Sequence, residues 1–244
     1  MKIEHSVILI TGASSGIGMA TAIAAAQAGA RVAVLARRED RLRALADRLG
    51  PDALVLPCDV TQGAQIEASI ATVLRTFGRL DALVNNAGRG FYAPVDRIDI
   101  AGYRALLDLN TVAPLAMMQA VIPQMRRQGV GAIVNVSSGA TFGILPGAGA
   151  YTSSKSALTM LSDVARLELA EAGISVSTIY PFVTDTEFYA AVSEGQDAAD
   201  AEIRTVGPAA HAPDRVAVKI LDLIRSGERQ DDLVPKAYGG SLDM

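Results

Sequence analysis

A chain of 244 residues, 50% hydrophobic and 20% charged, can bury a large core as one α/β domain, and its formal charge of −4 argues against a nucleic-acid footprint. Cys58 is the only cysteine, which excludes an intrachain disulfide and fits a reducing cytoplasm, while His5 and His211 are too few and too separated for a zinc site. The chain opens without the n-region and h-region of a signal peptide, and no uninterrupted apolar run reaches the ~18 residues that span a bilayer, so neither export nor a membrane partner is expected.

Val7 to Ile10 reads as the first strand. It runs into Thr11-Gly12-Ala13-Ser14-Ser15-Gly16-Ile17-Gly18 and then an Ala-rich helical stretch to about Ala28. Strand, glycine turn and helix are the context that a phosphate-binding loop requires. Gly12 permits the tight turn, and Gly16 and Gly18 allow close approach. The helix N-terminus offers free N–H groups to a pyrophosphate. A glycine-rich turn without a ligand is the competing reading. Arg31 to Leu35 is the second strand, ending in Ala36-Arg37-Arg38. An acid at this strand end would grip the ribose 2′-OH of NAD, whereas arginine suits the 2′-phosphate of NADP. Arg37 and Arg38 therefore favour NADP(H) over NAD(H), or they only solvate the start of a helix from Glu39 to Leu49.

Ala53 to Leu56 is the third strand, followed by Pro57-Cys58-Asp59-Val60. Thr61 is placed as the N-cap of a helix to about Phe77. Asp59 approaches an adenine edge or orders its own loop. Leu80 to Val84 is the fourth strand and ends in Asn85-Asn86-Ala87-Gly88. These residues suit a backbone turned against a cofactor, or a turn held by Asn side chains. A long helix spans roughly Ile100 to Gln128. Within it, Pro114 cannot accept the usual role of donor to the Asn110 carbonyl, four residues back. A kink is expected there, freeing that carbonyl for a water or a ligand, or serving packing alone.

Ala132 to Val136 is the fifth strand, with Ser137-Ser138-Gly139 at its end. Tyr151 to Lys155 opens a helix whose apolar positions Ala157, Leu158, Leu161, Val164, Ala165 and Leu167 follow helical spacing. Residues four apart share a helix face, so Lys155 lies beside Tyr151. A neighbouring ammonium lowers a phenol from its usual value near ~10, which suits general acid–base work. Ser138 can meet that phenol across a short loop. A chance Tyr–Lys spacing beside ordinary turn serines is the bland alternative. Ile174 to Ile179 is the sixth strand, ending at Tyr180-Pro181. Residues 182 to 212 show no clear core periodicity and read as a lid, a binding loop or a partly disordered segment. Pro213 and Asp214 start an amphipathic helix to about Ser226, and Leu233-Val234 is a short last strand. The alternation argues for one parallel sheet covered on both faces.

Assembled in this order, the chain closely resembles the short-chain dehydrogenase/reductase family. The resemblance is carried by the glycine turn 11–18, by Asn85-Asn86-Ala87-Gly88, by Asn110 and Ser138, and by Tyr151 with Lys155. It implies a Rossmann-type doubly wound parallel sheet of about seven strands, in a single catalytic domain over 1–244 with a substrate loop at about 182–212. The implied activity is an NADP-dependent oxidoreductase acting on a carbonyl or secondary alcohol. Tyr151 would be the general acid/base. Lys155 would lower its pKa and hydrogen-bond the nicotinamide ribose, Ser138 would orient the substrate oxygen, and Asn110 would hold a relay water. Cofactor contacts would run through Gly12, Ser14, Ser15, Gly16, Ile17, Gly18, Arg37, Arg38, Asp59, Val60, Asn86, Ala87, Gly88, Asn110, Tyr151, Lys155 and Pro181.

The chain departs from the family pattern at Phe182, where glycine is usual. Val183 and Thr186 are kept as contacts to the carboxamide end, with Thr184 as a substitute. Phe91, Tyr92, Phe142, Ile144, Phe188, Tyr189 and Val192 are candidate pocket residues, suited to an uncharged apolar or aromatic substrate with one reacting oxygen. Glu187, Glu194, Asp197, Asp200 and Glu202 disfavour an anionic one, although Arg89 and Arg204 offset them. The family habit implies a homodimer or homotetramer through the two long helices. The alternative from another class is a catalytically silent NADP-binding regulator of the same fold.

Overall fold

The apolar runs pair into one parallel sheet in the computed structural model, which describes residues 1–206 and 210–243. The strands are Val7–Thr11 (β1), Arg31–Ala36 (β2), Leu54–Pro57 (β3), Ala82–Asn85 (β4), Gly131–Val136 (β5), Ile174–Tyr180 (β6) and Gln230–Asp232 (β7). They lie in the order β3-β2-β1-β4-β5-β6-β7. Parallel neighbours need crossover connections. These are the helices Gly16–Gln27 (α1), Glu39–Leu49 (α2), Gly63–Phe77 (α3), Ile100–Leu107 (α4), Ala113–Gln128 (α5), Gly149–Leu169 (α6) and, beyond β6, Gln196–Val206 (α7) and Pro213–Ser226 (α8).

Successive strand residues face opposite sides, and both sides are apolar here, as a sheet covered twice requires. Ile8 and Ile10 of β1 pack with Ala22 and Ala25 of α1 and with Ile220 and Ile224 of α8. Val7 and Leu9 pack the other way, with Ile70 and Val73 of α3 and Met117 and Val121 of α5. The result is the doubly wound sheet the sequence predicts. Its strand order reverses between β1 and β4. Loops leaving the carboxyl ends of those two strands diverge, and a ligand crevice opens at that point.

Four elements differ from their sequence reading. Thr61 is not an N-cap: α3 begins at Gly63. Asp59 takes both the Thr61 N–H (3.0 Å) and the Thr61 hydroxyl (2.8 Å), an Asx-type turn that competes with a cap. The kink expected at Pro114 takes the form of a π-turn, Asp108–Val112, between α4 and α5. There the Ala113 N–H bonds Asp108 C=O five residues back. Ile100–Gln128 as a whole is long and apolar enough to cross a membrane, yet Met117, Met118, Val121 and Met125 bury its inner face on the sheet. The last strand is the polar Gln230–Asp232, while Leu233 and Val234 follow it into the core. Within 182–212, a 3₁₀ turn Tyr189–Ala191 and α7 replace the expected irregular chain; residues 207–209 of that stretch lie outside the described residues.

Candidate active site

The crevice at the β1/β4 divergence is built by two loops tied to each other. Thr11 Oγ1 accepts the N–H groups of Asn86 (3.0 Å) and Ala87 (3.1 Å). Asn86 Nδ2 donates back to the carbonyls of Thr11 (3.0 Å) and Gly12 (3.3 Å). Such closeness leaves no room for a side chain at Gly12 or Gly18. Gly12 has φ +66°, and a Cβ there would meet Asn86 Nδ2 at 2.8 Å. A Cβ on Gly18 would stand 2.5 Å from both Asn86 Nδ2 and the Gly12 carbonyl oxygen. Ser15, the N-cap of α1, makes no side-chain cap hydrogen bond, so the first-turn N–H groups are not claimed by it. A glycine cradle ending in an uncapped helix N-terminus fits the pyrophosphate of a dinucleotide.

One cleft of about 1150 Å³ runs from this turn to Tyr151. It is lined by Ser138, Tyr151 and Lys155 and by every predicted cofactor contact except Gly18 and Asn110. Gly18 lies beneath the turn, in contact distance of its backbone. Asn110 is fully buried, and its amide is committed to structure. Its Oδ1 accepts the Arg89 N–H (3.1 Å), and its Nδ2 donates to Arg89 C=O (3.0 Å) and Ser154 Oγ (3.0 Å). The residue clamps the loop after β4 onto the π-turn and α6.

Tyr151 and Lys155 sit in the first turns of α6, buried to 7% and 4% exposure. Burial pushes the Tyr151 phenol up to about 12; a hydrogen bond from the Ser138 side chain pulls it down, and the Glu202 carboxylate adds to the rise. Ser138 Oγ also accepts the Ala140 N–H at 3.2 Å, which orients it at the end of β5. The phenol is not lowered by Lys155, contrary to the expectation from their spacing. Lys155 Nζ donates to Val136 C=O at 2.9 Å, and desolvation brings its own pKa down to about 8. Two buried groups that each disfavour charge move towards neutrality. Gly88 is small for a reason: a Cβ there would meet both Lys155 Nζ and Asn110 Oδ1 at 3.2 Å.

At the other end, Ala36 closes β2 and the exposed Arg37 and Arg38 follow. Arg38 donates to Ser14 Oγ (3.0 Å) and Ser15 Oγ (2.9 Å), and also to Glu187 (3.1 Å). Glu187 takes Arg41 as well, at 2.6 Å, and these cations hold its carboxyl below the usual range. Sequence reasoning missed Glu187 as a tether and Thr11 as a tie. Thr11 precedes the glycine turn directly, and that position was the one available signal. Asp59 lines the cleft but is spent on Thr61; that backbone hydrogen bond holds its carboxyl below the usual range. This is the loop-ordering role. Beyond β6, Phe182 packs its ring on Tyr238 (5.1 Å between centroids), filling the space where the family pattern has glycine. The Val183 carbonyl accepts the His211 N–H (2.9 Å) and the Thr184 hydroxyl donates to Phe182 C=O (2.8 Å). Thr186 packs against the glycine turn, 3.0 Å from a Cβ placed on Gly16. Of the candidate pocket residues, Tyr92, Phe142, Ile144, Phe188 and Tyr189 line the cleft. Phe91 does not: it is 1% exposed in a small core cluster with Leu106. Val192 packs behind the wall against Tyr92.

The family model described as short chain dehydrogenase matches residues 6–197. An uncharacterized oxidoreductase of Staphylococcus epidermidis is 32% identical over 196 residues, 80% of this chain and 84% of that protein. The D-threitol dehydrogenase of Mycolicibacterium smegmatis is 38% identical over 189 residues, 76% of this chain and 73% of that one. The crystal structure of 3-ketoacyl-(acyl-carrier-protein) reductase from Brucella melitensis, complexed with NADH, superposes with a TM-score of 0.86 at 25% identity, over 95% of this chain and 97% of that chain. With a matching cleft and these relatives together, the chain belongs to the short-chain dehydrogenase/reductase family and is an oxidoreductase on a nicotinamide-dinucleotide-binding fold.

Proposed function

We propose that the protein is an NADP(H)-dependent oxidoreductase acting on a carbonyl compound or secondary alcohol, with Tyr151 as its general acid/base. The observation that carries this reading is the continuity of the cleft, from a glycine cradle flanked by arginines to a buried Tyr–Ser–Lys cluster. A nicotinamide bound there supplies or accepts the hydride. The chain's own residues do the rest. In reduction the Tyr151 hydroxyl donates a proton to the substrate oxygen, and a phenol held near 12 is protonated at neutral pH. The Ser138 hydroxyl orients the same oxygen. Lys155 stands on the same helix face and would hold the nicotinamide ribose and supply the proton. Phe142, Pro146, Phe182 and Phe188 exclude water and suit an uncharged substrate with an apolar or aromatic body. The residues of the substrate loop between Phe182 and Glu202 that line the cleft close that end of it. The single, buried Cys58 accords with a cytoplasmic setting.

The NADP preference rests on the β2 end, where Ala36 replaces an acid and two guanidiniums follow. Arg37→Ala and Arg38→Ala should each weaken NADPH binding roughly tenfold or more, the size of a lost charge-assisted hydrogen bond, and change NADH binding far less. Calorimetric titration with each cofactor checks this, and equal weakening of both would refute the preference. A homodimer or homotetramer is supported by exposed apolar residues on the two long helices: Ile100 and Val112 on one, Met160, Val164 and Leu167 on the other. Sedimentation should find a dimer or larger; a monomer at micromolar concentration would contradict it.

A further inference from the structure

A carboxylate stands in the lining of the cleft that also holds Tyr151. Glu202, on α7, faces the cleft together with Tyr92, Tyr189 and Tyr151. Its Oε2 accepts the Tyr92 hydroxyl at 2.8 Å and its Oε1 accepts the Tyr189 hydroxyl at 3.3 Å. Its charge acts on the Tyr92, Tyr189 and Tyr151 phenols, raising each beyond what burial alone does. A carboxylate offers about four lone-pair directions. Tyr92 is 8% exposed, comes from the loop after β4 and packs with Ala199 and Tyr189, so its bond to Glu202 ties the carboxylate to that loop. Tyr189 fixes it from within the substrate loop. The capacity left over is pure acceptor, in a half-buried setting where an unpaired donor-bearing ligand gains most. A merely structural latch between α7 and Tyr92 would need one tyrosine and no exposure to the cleft; here two tyrosines hold one carboxylate at its edge.

We propose that Glu202, positioned by Tyr92 and Tyr189, is a specificity-determining group that accepts a hydrogen bond from a hydroxyl or ammonium beside the reacting carbon of the substrate. The proposal rests on the oxidoreductase reading above and narrows it. The substrate is an apolar or aromatic carbonyl compound that carries one donor group next to its carbonyl, or the matching alcohol. An apolar analogue of the same shape leaves the remaining lone pairs of Glu202 without a donor on desolvation and is rejected for that reason. An anionic substituent at that place is repelled.

The test is a panel of ketone pairs that differ by a hydroxyl in place of a methyl beside the carbonyl, such as 2-hydroxyacetophenone against propiophenone. NADPH oxidation is followed with wild-type protein, Glu202→Gln and Glu202→Leu. At least one hydroxy member should exceed its methyl partner in kcat/KM by ~10-fold or more in the wild type, the scale of a hydrogen bond to a charged group. That ratio should fall in Glu202→Gln and approach one in Glu202→Leu, whatever the absolute rates. Tyr92→Phe should reduce the ratio in part, since a freed carboxylate is less well aimed. Loss of a structural latch would slow both members alike and leave the ratio in place. Turnover of the panel with no hydroxy member preferred, or a ratio unmoved in Glu202→Leu, overturns the subsite and leaves the oxidoreductase reading standing. No turnover of any member with either NADPH or NADH would instead overturn both.

Discussion

Tyr151→Phe should lower kcat by roughly 10²- to 10⁴-fold, the range that a positioned general acid contributes, while NADPH affinity stays within about threefold. The substitution removes one hydroxyl from a ring that is 7% exposed and packs against Phe188 at 5.7 Å between centroids. The ring itself is kept, so the cleft should hold its shape. What is lost is the proton at the substrate oxygen and the hydroxyl that Ser138 faces. Single-turnover absorbance at the nicotinamide band separates binding from chemistry. Cofactor that binds but is not oxidised is the expected pattern. Near-normal turnover would mean that another group carries the proton, and the burial of Tyr151 would then be a packing feature only.

Lys155→Met should abolish turnover and yet stabilise the ligand-free protein against unfolding near neutral pH. Lys155 is buried, and desolvation depresses its pKa from 10.5 to about 8. A lysine with a lowered folded-state pKa costs stability while it is charged. The cost is full below about pH 8 and disappears as pH rises towards 10.5, where the unfolded chain also gives up its proton. Between pH 7 and pH 10 the stability of the wild type relative to Lys155→Met should therefore rise by about 2–3 kcal/mol. Other groups titrate alike in both proteins, so the difference isolates this residue. Urea midpoints at the two pH values measure it. A pH-independent difference would show that the lysine is not held in a desolvated state. Part of any gain at pH 7 is offset by the hydrogen bond lost to Val136 C=O at 2.9 Å.

The sheet was legible because its signals are redundant. Strands β1 to β5 are short, mostly apolar runs, as a parallel sheet buried on both faces demands, and β6 keeps Ile174, Val176 and Ile179 among its serines and threonine. The edge strand β7 was misplaced by that same rule, since its residues Gln230–Asp232 are polar and the apolar Leu233 and Val234 lie just beyond. Helix α7 was missed for another reason: it lines a cleft instead of covering the sheet, and Ala199, the one fully buried side chain among its described residues, is too small to mark a face. Pro114 pointed to the right place, and the chain answers with a π-turn.

At the site, spacing foretold which residues share the cleft but not where their side chains end. Tyr151 and Lys155 do share a helix face, yet a four-carbon stem lets the ammonium reach the end of β5, where Val136 C=O takes it. Asn110 was found by pattern, while its commitment to Arg89 and Ser154 depends on a loop packing that no local signal encodes. Glu187 and Glu202 looked like two acids among several. Their partners, Arg38 and Arg41 for one and Tyr92 and Tyr189 for the other, lie far away in sequence and meet them only in the folded chain.

The central claim is hydride transfer within one cleft, with the proton delivered by Tyr151. Reduction of a ketone with NADPH carrying two deuterium atoms at the nicotinamide C4, so that either face delivers the label, followed by mass spectrometry of the product, tests it most directly. One deuterium on the new carbinol carbon for each cofactor oxidised, with the label appearing roughly 10²- to 10⁴-fold more slowly in Tyr151→Phe, is the predicted result. Cofactor that binds while no product acquires the label would contradict the account.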